Sequence, residues 1–320
     1  MTSAGLPRAT SHLLFQLAHA IGRQSAQVEF RWMQQTLSSP PPGIPPSAKN
    51  LEEMVARRVS GEPLQYILGS QPFGPLNLAV RRPVLIPRPE TEDWTIRLAE
   101  SLSPSSTRPL NVLDLCTGTG CIPLLLCHLW PPGSAHATGV DISTDAINIA
   151  TENAALCGIP VLPSPSHATK GQAQNTFTPV LGDLMHPTFV HEAHLELPYD
   201  LITSNPPYIP RAEYDELPAS VKDFEDVRAL LGETPGHTSP DAELPDTDCM
   251  KGLVFYHRIA TLASRHGLLR SSGGTLALEV GDGQAGDIAR IVENNFKARL
   301  DRIDIWKDPW GKERVVVART

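Results

Sequence analysis

Between residues 110 and 141 the chain sets a pattern that few folds satisfy. Leu110-Asn-Val-Leu-Asp-Leu-Cys116 is a compact apolar run of strand length, and Thr117-Gly-Thr-Gly120 is a flexible turn. Cys121 to Trp130 has the apolar content of a buried helix, and Ala137-Thr-Gly-Val-Asp141 is a second short strand ending in an acid. Strand, glycine turn, helix and strand make a βαβ unit, whose right-handed crossover lays the two strands parallel in one sheet. The alternation continues with a helix from Ser143 to Cys157 closed by Gly158, strands at Pro179 to Asp183 and Tyr199 to Ser204, a helix from Gly252 to Leu269, and a strand from Gly274 to Val280. Arg299 to Trp306 and Glu313 to Arg319, joined through Pro309 and Gly311, read as a closing antiparallel pair. The class predicted is α/β, a doubly wound sheet with an antiparallel edge. Residues 160–178 and 232–248, which are polar, are expected as solvated insertions.

Upstream the period changes. Leu13, Leu17 and Ile21 share one helical face, and Val28, Trp32 and Leu37 are expected to mark a second helix that ends at Pro40-Pro-Pro-Gly-Ile-Pro-Pro46. Asn50, with Glu53 three residues on, predicts an N-cap for a helix whose stripe is Leu51, Met54, Val55 and Val59. This is a small helical domain. Leu76, Leu78 and Val80 then alternate between Gly and Pro signals, which predicts a hairpin linker. The first acid is Glu29, so the start of the chain, with Arg8, Arg23 and an amphipathic stretch from Leu13 to Ala18, has the composition of a mitochondrial presequence as well as of an ordinary first helix.

In a doubly wound sheet a ligand sits outside the carboxyl ends of the strands, where Asp114, the turn, Asp141, Asp183 and Asn205 would gather. Gly118 and Gly120 allow close approach of the backbone, and Asp141 is placed for two ribose hydroxyls. A dinucleotide and S-adenosylmethionine both need that acid. The turn separates them: Gly120 is followed by Cys121-Ile122-Pro123 with no third glycine for a pyrophosphate, and Asp114 suits a cationic ligand better. S-adenosylmethionine is therefore the expected cofactor, with Asp183 near its adenine amine and Leu184 against the ring. Further along, Leu201-Ile-Thr-Ser204 breaks into Asn205-Pro206-Pro207-Tyr208. Two prolines remove two donors and fix their φ, so this segment is a stiff loop at a strand end. Its amide, its set carbonyls and the flat Tyr208 ring suit the amino group of a planar substrate.

Composition narrows the substrate. A formal net charge of −8 counts against a protein that grips DNA or RNA by its phosphates. The five cysteines have no metal-binding spacing, so no metal is expected, and the longest apolar run, which contains Pro123, is too short to span a bilayer.

With these residues in view the chain resembles the glutamine methyltransferases of peptide chain release factors, the HemK/PrmC type. The carriers are Gly61-Glu-Pro-Leu-Gln-Tyr-Ile-Leu-Gly69, Leu85-Ile-Pro-Arg-Pro-Glu-Thr-Glu92, Leu113 to Cys121, Asn205-Pro-Pro-Tyr208, Gly274 to Gly281 with Gln284, and Asp308 to Val316. They cover nearly the whole chain. Asn-Pro-Pro-Tyr alone is shared with enzymes that methylate nucleic-acid amines; the segments 61–69 and 85–92 are more specific. Cys116 stands where the family usually has Gly, and Glu225-Asp-Val-Arg-Ala-Leu230 replaces Glu-Pro-x-x-Ala-Leu.

The resemblance implies a helical substrate-recognition domain at 1–70, a hairpin linker at 71–92, and a seven-stranded Rossmann-like S-adenosylmethionine-dependent methyltransferase domain at 93–320. It implies a monomeric, mitochondrial-type enzyme, with a cytoplasmic one as the alternative, that methylates the glutamine amide nitrogen in the Gly-Gly-Gln loop of a release factor. Asn205, Pro206 and Tyr208 would be catalytic, with Pro207 beside them on the substrate; Asp114, Cys116, Thr117, Gly118, Thr119, Gly120, Asp141, Asp183, Leu184 and Asn205 would hold the cofactor. Glu213, Asp215, Glu216, Asp223, Glu225 and Asp226 are candidates to meet a basic partner surface. An exocyclic-amino methyltransferase of nucleic acid, a non-catalytic cofactor-binding subunit and an NAD-dependent oxidoreductase are the competing readings.

Overall fold

The computed structural model describes residues 8–167, 173–233, 238–239 and 242–320. The expected inserts at 160–178 and 232–248 lie partly outside these residues.

Four helices open the chain: α1 (Arg8–Ile21), α2 (Arg23–Ser38), α3 (Leu51–Val59) and α4 (Leu64–Leu68). They share a core of Leu17, Phe30, Met33, Met54 and Ile67. The amphipathic stretch around Leu17 is thus the core face of α1. Asn50 caps α3, its Oδ1 accepting the Glu53 N–H at 2.9 Å. Two expectations need correction. The inward face of α2 is Ala26, Phe30, Met33 and Thr36, one step round from the predicted stripe, and Trp32 is half exposed because the larger aligned set of core contacts lies on the Phe30 side. Val59, at the end of its helix, also faces out.

A hairpin of β1 (Ser70–Phe73) and β2 (Leu76–Ala79) follows, then α5 (Pro89–Ser101), entered through Pro89 in its first turn. The main sheet contains β3 (Leu110–Leu115), β4 (Ala135–Asp141), β5 (Thr176–Leu181), β6 (Leu201–Ser204), β7 (Thr275–Glu279), β8 (Arg302–Lys307) and β9 (Glu313–Arg319). Its order is β8-β9-β7-β6-β3-β4-β5. β7, β6, β3, β4 and β5 are parallel; β9 runs antiparallel between β7 and β8. The crossovers use α6 (Cys121–Leu129), α7 (Thr144–Leu156), α8 (Val254–Ser264) and α9 (Ala285–Phe296). Helices cover both faces, over two large apolar clusters, so the parallel strands read as unbroken apolar runs. This is the seven-stranded, doubly wound sheet expected.

β5 begins three residues early, inside the segment read as a solvated insertion. Thr176, Phe177 and Thr178 are buried, with the Thr176 hydroxyl on His136 Nδ1 at 3.0 Å. The helix expected over 252–269 is shorter, ending at Ser264. No helix among the described residues is long and apolar enough to cross a membrane.

Candidate active site

The strand ends of β3, β4, β5 and β6 frame a cavity of about 550 Å³, in the range that holds a small-molecule ligand. Its floor is the turn after β3, where three residues in five are left-handed: Cys116 (φ 60°), Gly118 (φ 54°) and Gly120 (φ 78°). Only Gly takes that region freely, so Cys116, where the resembling family has Gly, holds a backbone conformation that L side chains disfavour. Asp141 pins the turn. Its Oδ2 accepts the Gly118 N–H and its Oδ1 the Ser143 N–H, each at 2.9 Å. A Cβ at Gly118 would meet nothing within 4 Å, so the peptide there faces open space.

Of the expected cofactor residues, Cys116, Gly118, Asp141, Asp183, Leu184 and Asn205 line the cavity, as does Pro207. Asp114, Thr117, Thr119, Gly120, Pro206 and Tyr208 do not; they form a layer behind it. Asp114 is fully buried, its Oδ1 accepting the Thr203 hydroxyl at 2.6 Å. Burial pushes its carboxyl up to about 7. Asp114 Oδ2 and the hydroxyls of Thr117 and Thr119 are buried and make no hydrogen bond. Burial and the neighbouring Asp141 and Asp114 hold the Cys116 thiol well above its usual range, which keeps it protonated.

Sequence reasoning missed several walls. Val84, Leu85 at the start of the 85–92 segment, and Phe255 on α8 line the cavity. So do Arg211 and Arg228, each neutralised: Arg211 faces Glu233 at 3.5 Å and Arg228 faces Asp226 at 2.6 Å. The departure from the usual family sequence at 225–230 puts Asp226, the partner of Arg228, where Pro is usual; Arg228 itself and Phe255 had no signal. With its cations paired and carboxylates at its other end, the cavity suits a cationic ligand with hydroxyls and an amine rather than a pyrophosphate. Asp141, Asp183 and the open peptide at Gly118 fit S-adenosylmethionine.

Asn205 follows directly on β6, and Ser204 anchors that end by donating to the Leu115 carbonyl at 2.7 Å. Among the described residues the Asn205 amide makes no hydrogen bond, and the Pro206 carbonyl accepts none. Neither acceptor thus has a partner among the described residues of the protein. Behind the tetrad, buried Glu279 accepts from Thr91 Oγ1 and Trp94 Nε1, each at 2.7 Å, tying α5 to the end of β7. Burial, with Glu279 nearby, raises the Tyr208 phenol, so it stays neutral.

The segment 81–88 straps the cavity wall. Arg88 Nη2 reaches both Glu225 carboxylate oxygens at 2.7–2.8 Å, the Asp226 N–H donates to the Pro83 carbonyl at 2.8 Å, and Arg82 lies 4.4 Å over the Phe224 ring. The Tyr66 hydroxyl donates to the Val84 carbonyl at 2.6 Å, joining this strap to α4. Of the six acids suggested to face a partner, Glu225 is consumed by Arg88 and Asp226 by Arg228; Glu213, Asp215, Glu216 and Asp223 are exposed.

The chain is similar to known proteins along its whole length. Residues 3–69 match the family described as the PrmC N-terminal domain. The mitochondrial MRF1 N(5)-glutamine methyltransferase MTQ1 of Saccharomyces cerevisiae is 31% identical over 314 residues, covering 95% of this chain and 82% of that one. The release factor glutamine methyltransferase of Cereibacter sphaeroides is 33% identical over 320 residues, covering 100% of this chain and 94% of its own. The crystal structure of the protein-(glutamine-N5) methyltransferase (release factor-specific) of Alicyclobacillus acidocaldarius aligns with a TM-score of 0.38 at 26% identity, over 73% of this chain and 93% of that one.

Proposed function

This chain belongs to the release factor glutamine methyltransferases, and we propose that its site moves a methyl group from S-adenosylmethionine to the side-chain amide nitrogen of the glutamine in a release factor's Gly-Gly-Gln loop. The observation that carries this reading is the pair of acceptors unused among the described residues, Asn205 Oδ1 on a residue that lines the cavity and the carbonyl of Pro206 next to it.

An amide nitrogen is a poor nucleophile because its lone pair is delocalised into the carbonyl. Two fixed acceptors hold its two N–H bonds, orient the nitrogen toward the cavity, and stabilise positive charge as it develops. Pro206 and Pro207 keep those acceptors from drifting, and Tyr208 offers a face for the amide plane. Asp141 serves the ribose hydroxyls, Asp183 the adenine amine and Leu184 the ring. S-adenosylmethionine, when bound, supplies the methyl as an electrophile on sulfonium. The tetrad carries no carboxylate or imidazole, so the proton leaves to solvent after transfer.

The partner we assign is a mitochondrial release factor, with the enzyme acting as a monomer. The named target of the yeast relative supports the choice of partner. Nucleic acid is the lesser candidate, given the net charge of −8 and cavity arginines that are already paired. The test is transfer of labelled methyl from S-adenosylmethionine to a purified mitochondrial release factor, beside a copy whose Gly-Gly-Gln glutamine is changed to alanine, and to naked RNA and DNA. Label on the first alone is expected; label on nucleic acid alone would overturn the reading.

A further inference from the structure

A side-chain amide holds the chain at Tyr208, where the Asn205-Pro-Pro-Tyr loop ends. Gln284 Nε2 donates to the Tyr208 carbonyl at 2.9 Å and to the Lys251 carbonyl at 2.7 Å, while its Oε1 accepts the Gly281 N–H at 2.9 Å. One buried amide thus uses both donors and its acceptor to join three segments distant in sequence. Gln284 immediately precedes α9, where a short polar side chain commonly caps the helix. Here the side chain makes no cap and is turned to the loop instead.

Three glycines close round the same peptide. A Cβ on Gly252 would fall on the Tyr208 carbonyl oxygen; one on Gly232 would lie 2.9 Å from the Tyr208 carbonyl carbon; one on Gly281 would lie 2.7 Å from Gln284 Oε1 and 3.1 Å from Tyr208 Cδ2. The next residue is pinned as well, Ile209 N–H donating to Leu230 and its carbonyl accepting from Gly232, each at 2.9 Å.

We infer that Gln284 is a positioning residue for the methyl transfer, acting through the Tyr208 carbonyl. Prolines fix φ at 206 and 207 but leave ψ of Pro207 and both angles of Tyr208 to be set by something else. The Gln284 hydrogen bond fixes the Tyr208–Ile209 peptide, and so anchors the far end of the loop that carries the Tyr208 ring and the Asn205 and Pro206 acceptors. The inference rests on the reaction proposed above. Misplacement of reacting groups by about 1 Å costs on the order of 10²-fold in rate, so a residue outside the cavity can control turnover.

The experiment compares the full chain with Gln284→Glu and Gln284→Met. Glu keeps the acceptor for Gly281 and loses both donors; Met loses all three bonds at similar volume. Steady-state methylation of a Gly-Gly-Gln release factor, calorimetric Kd for S-adenosylmethionine and Tm are measured on each. Expected is a kcat lower by about 10²-fold in both variants, with KM for the release factor and cofactor Kd within about threefold of native. Gln284→Glu regains rate relative to native as pH falls toward about 5, where its carboxyl takes a proton and recovers a donor; Gln284→Met does not. A kcat within about threefold of native, a loss confined to KM, or a cofactor affinity that falls as far as the rate would overturn the inference. Native protein that leaves the release factor unlabelled overturns the reading above and this inference with it, whereas native labelling with undiminished variants overturns this inference alone.

Discussion

Asp114 should make the folded protein lose stability as the pH rises from about 4 to about 7, and Asp114→Asn should abolish that loss. The carboxyl is fully buried beneath the turn, with one hydroxyl on Oδ1 and nothing on Oδ2, so burial raises it from 3.8 to about 7. The direction follows from proton binding. Between those two values the folded state keeps a proton that the unfolded chain has released, so stability is greatest below about pH 4 and falls as pH rises through about 7. For this one group the loss between about pH 5.5 and about pH 8 is on the order of 2 kcal/mol. Asparagine has the same shape, accepts the same Thr203 hydroxyl and cannot ionise. Urea unfolding of both proteins without cofactor at several pH values isolates the term, because every other titrating group is common to the pair. The variant should gain about 2 kcal/mol in stability relative to the native protein across that interval. Parallel stability curves would show that Asp114 is ionised in the fold at its ordinary pKa, and the burial argument would fail.

Three further perturbations bear on the site. Asn205→Ala should leave cofactor Kd within about threefold and lower methylation by at least about 10²-fold; a radiolabel assay showing full activity would remove Asn205 from its role. Arg88→Ala leaves the Glu225 side chain, 1% exposed, without its cation. Breaking a buried pair costs about 3–5 kcal/mol, and because Arg88 is itself partly exposed the expected loss is about 2 kcal/mol by urea unfolding, largely recovered by adding Glu225→Gln; a loss below about 0.5 kcal/mol would contradict the strap. Asn153→Ala, at a buried site in α7, strips partners from the Ala79 N–H, the Ala79 carbonyl and the Thr119 carbonyl. It should cost about 3 kcal/mol in the same assay and weaken cofactor binding, since the Thr119 turn loosens with it; unchanged cofactor affinity would separate the hairpin from the turn.

What the sequence disclosed was periodic or punctuated: the βαβ unit, the Asn50 cap, the Asn205-Pro-Pro-Tyr break at the end of β6, and the acid ending β4. Each is a local signal with a local cause. Thr176 to Thr178 escaped because polarity there looks like solvation, yet the threonines are buried beside β4, with one hydroxyl on His136. Asp114 was legible as an important acid and misplaced by one layer, since nothing in the sequence says whether a strand-end side chain points into the cavity or beneath the turn. The helix face at Trp32 was misread because helical spacing admits two adjacent faces, and only packing against Leu17 and Met54 selects Phe30. Gln284, Asn153 and Arg88 were invisible in their roles, because each acts on a partner more than seventy residues away.

Those long-range contacts explain how the site works with so few ionisable groups. A reaction at an amide nitrogen gains little from a base before the new bond has formed, and much from orientation, so the enzyme needs acceptors that do not move. Stiffness comes from two sources with different sequence signatures. Upstream it is covalent, in Pro206 and Pro207, and can be read from the chain. Downstream it is tertiary: the Tyr208 carbonyl sits against Gly232 and Gly252, Gly281 lies against the Tyr208 ring, and Gln284 holds the carbonyl, with the last two residues drawn from the turn after β7. Because β6 and β7 are parallel neighbours, the carboxyl ends of both lie at one edge, and the loop leaving one is within reach of the turn leaving the other. The order of strands in the sheet thus decides which distant residue can reach the Tyr208 carbonyl.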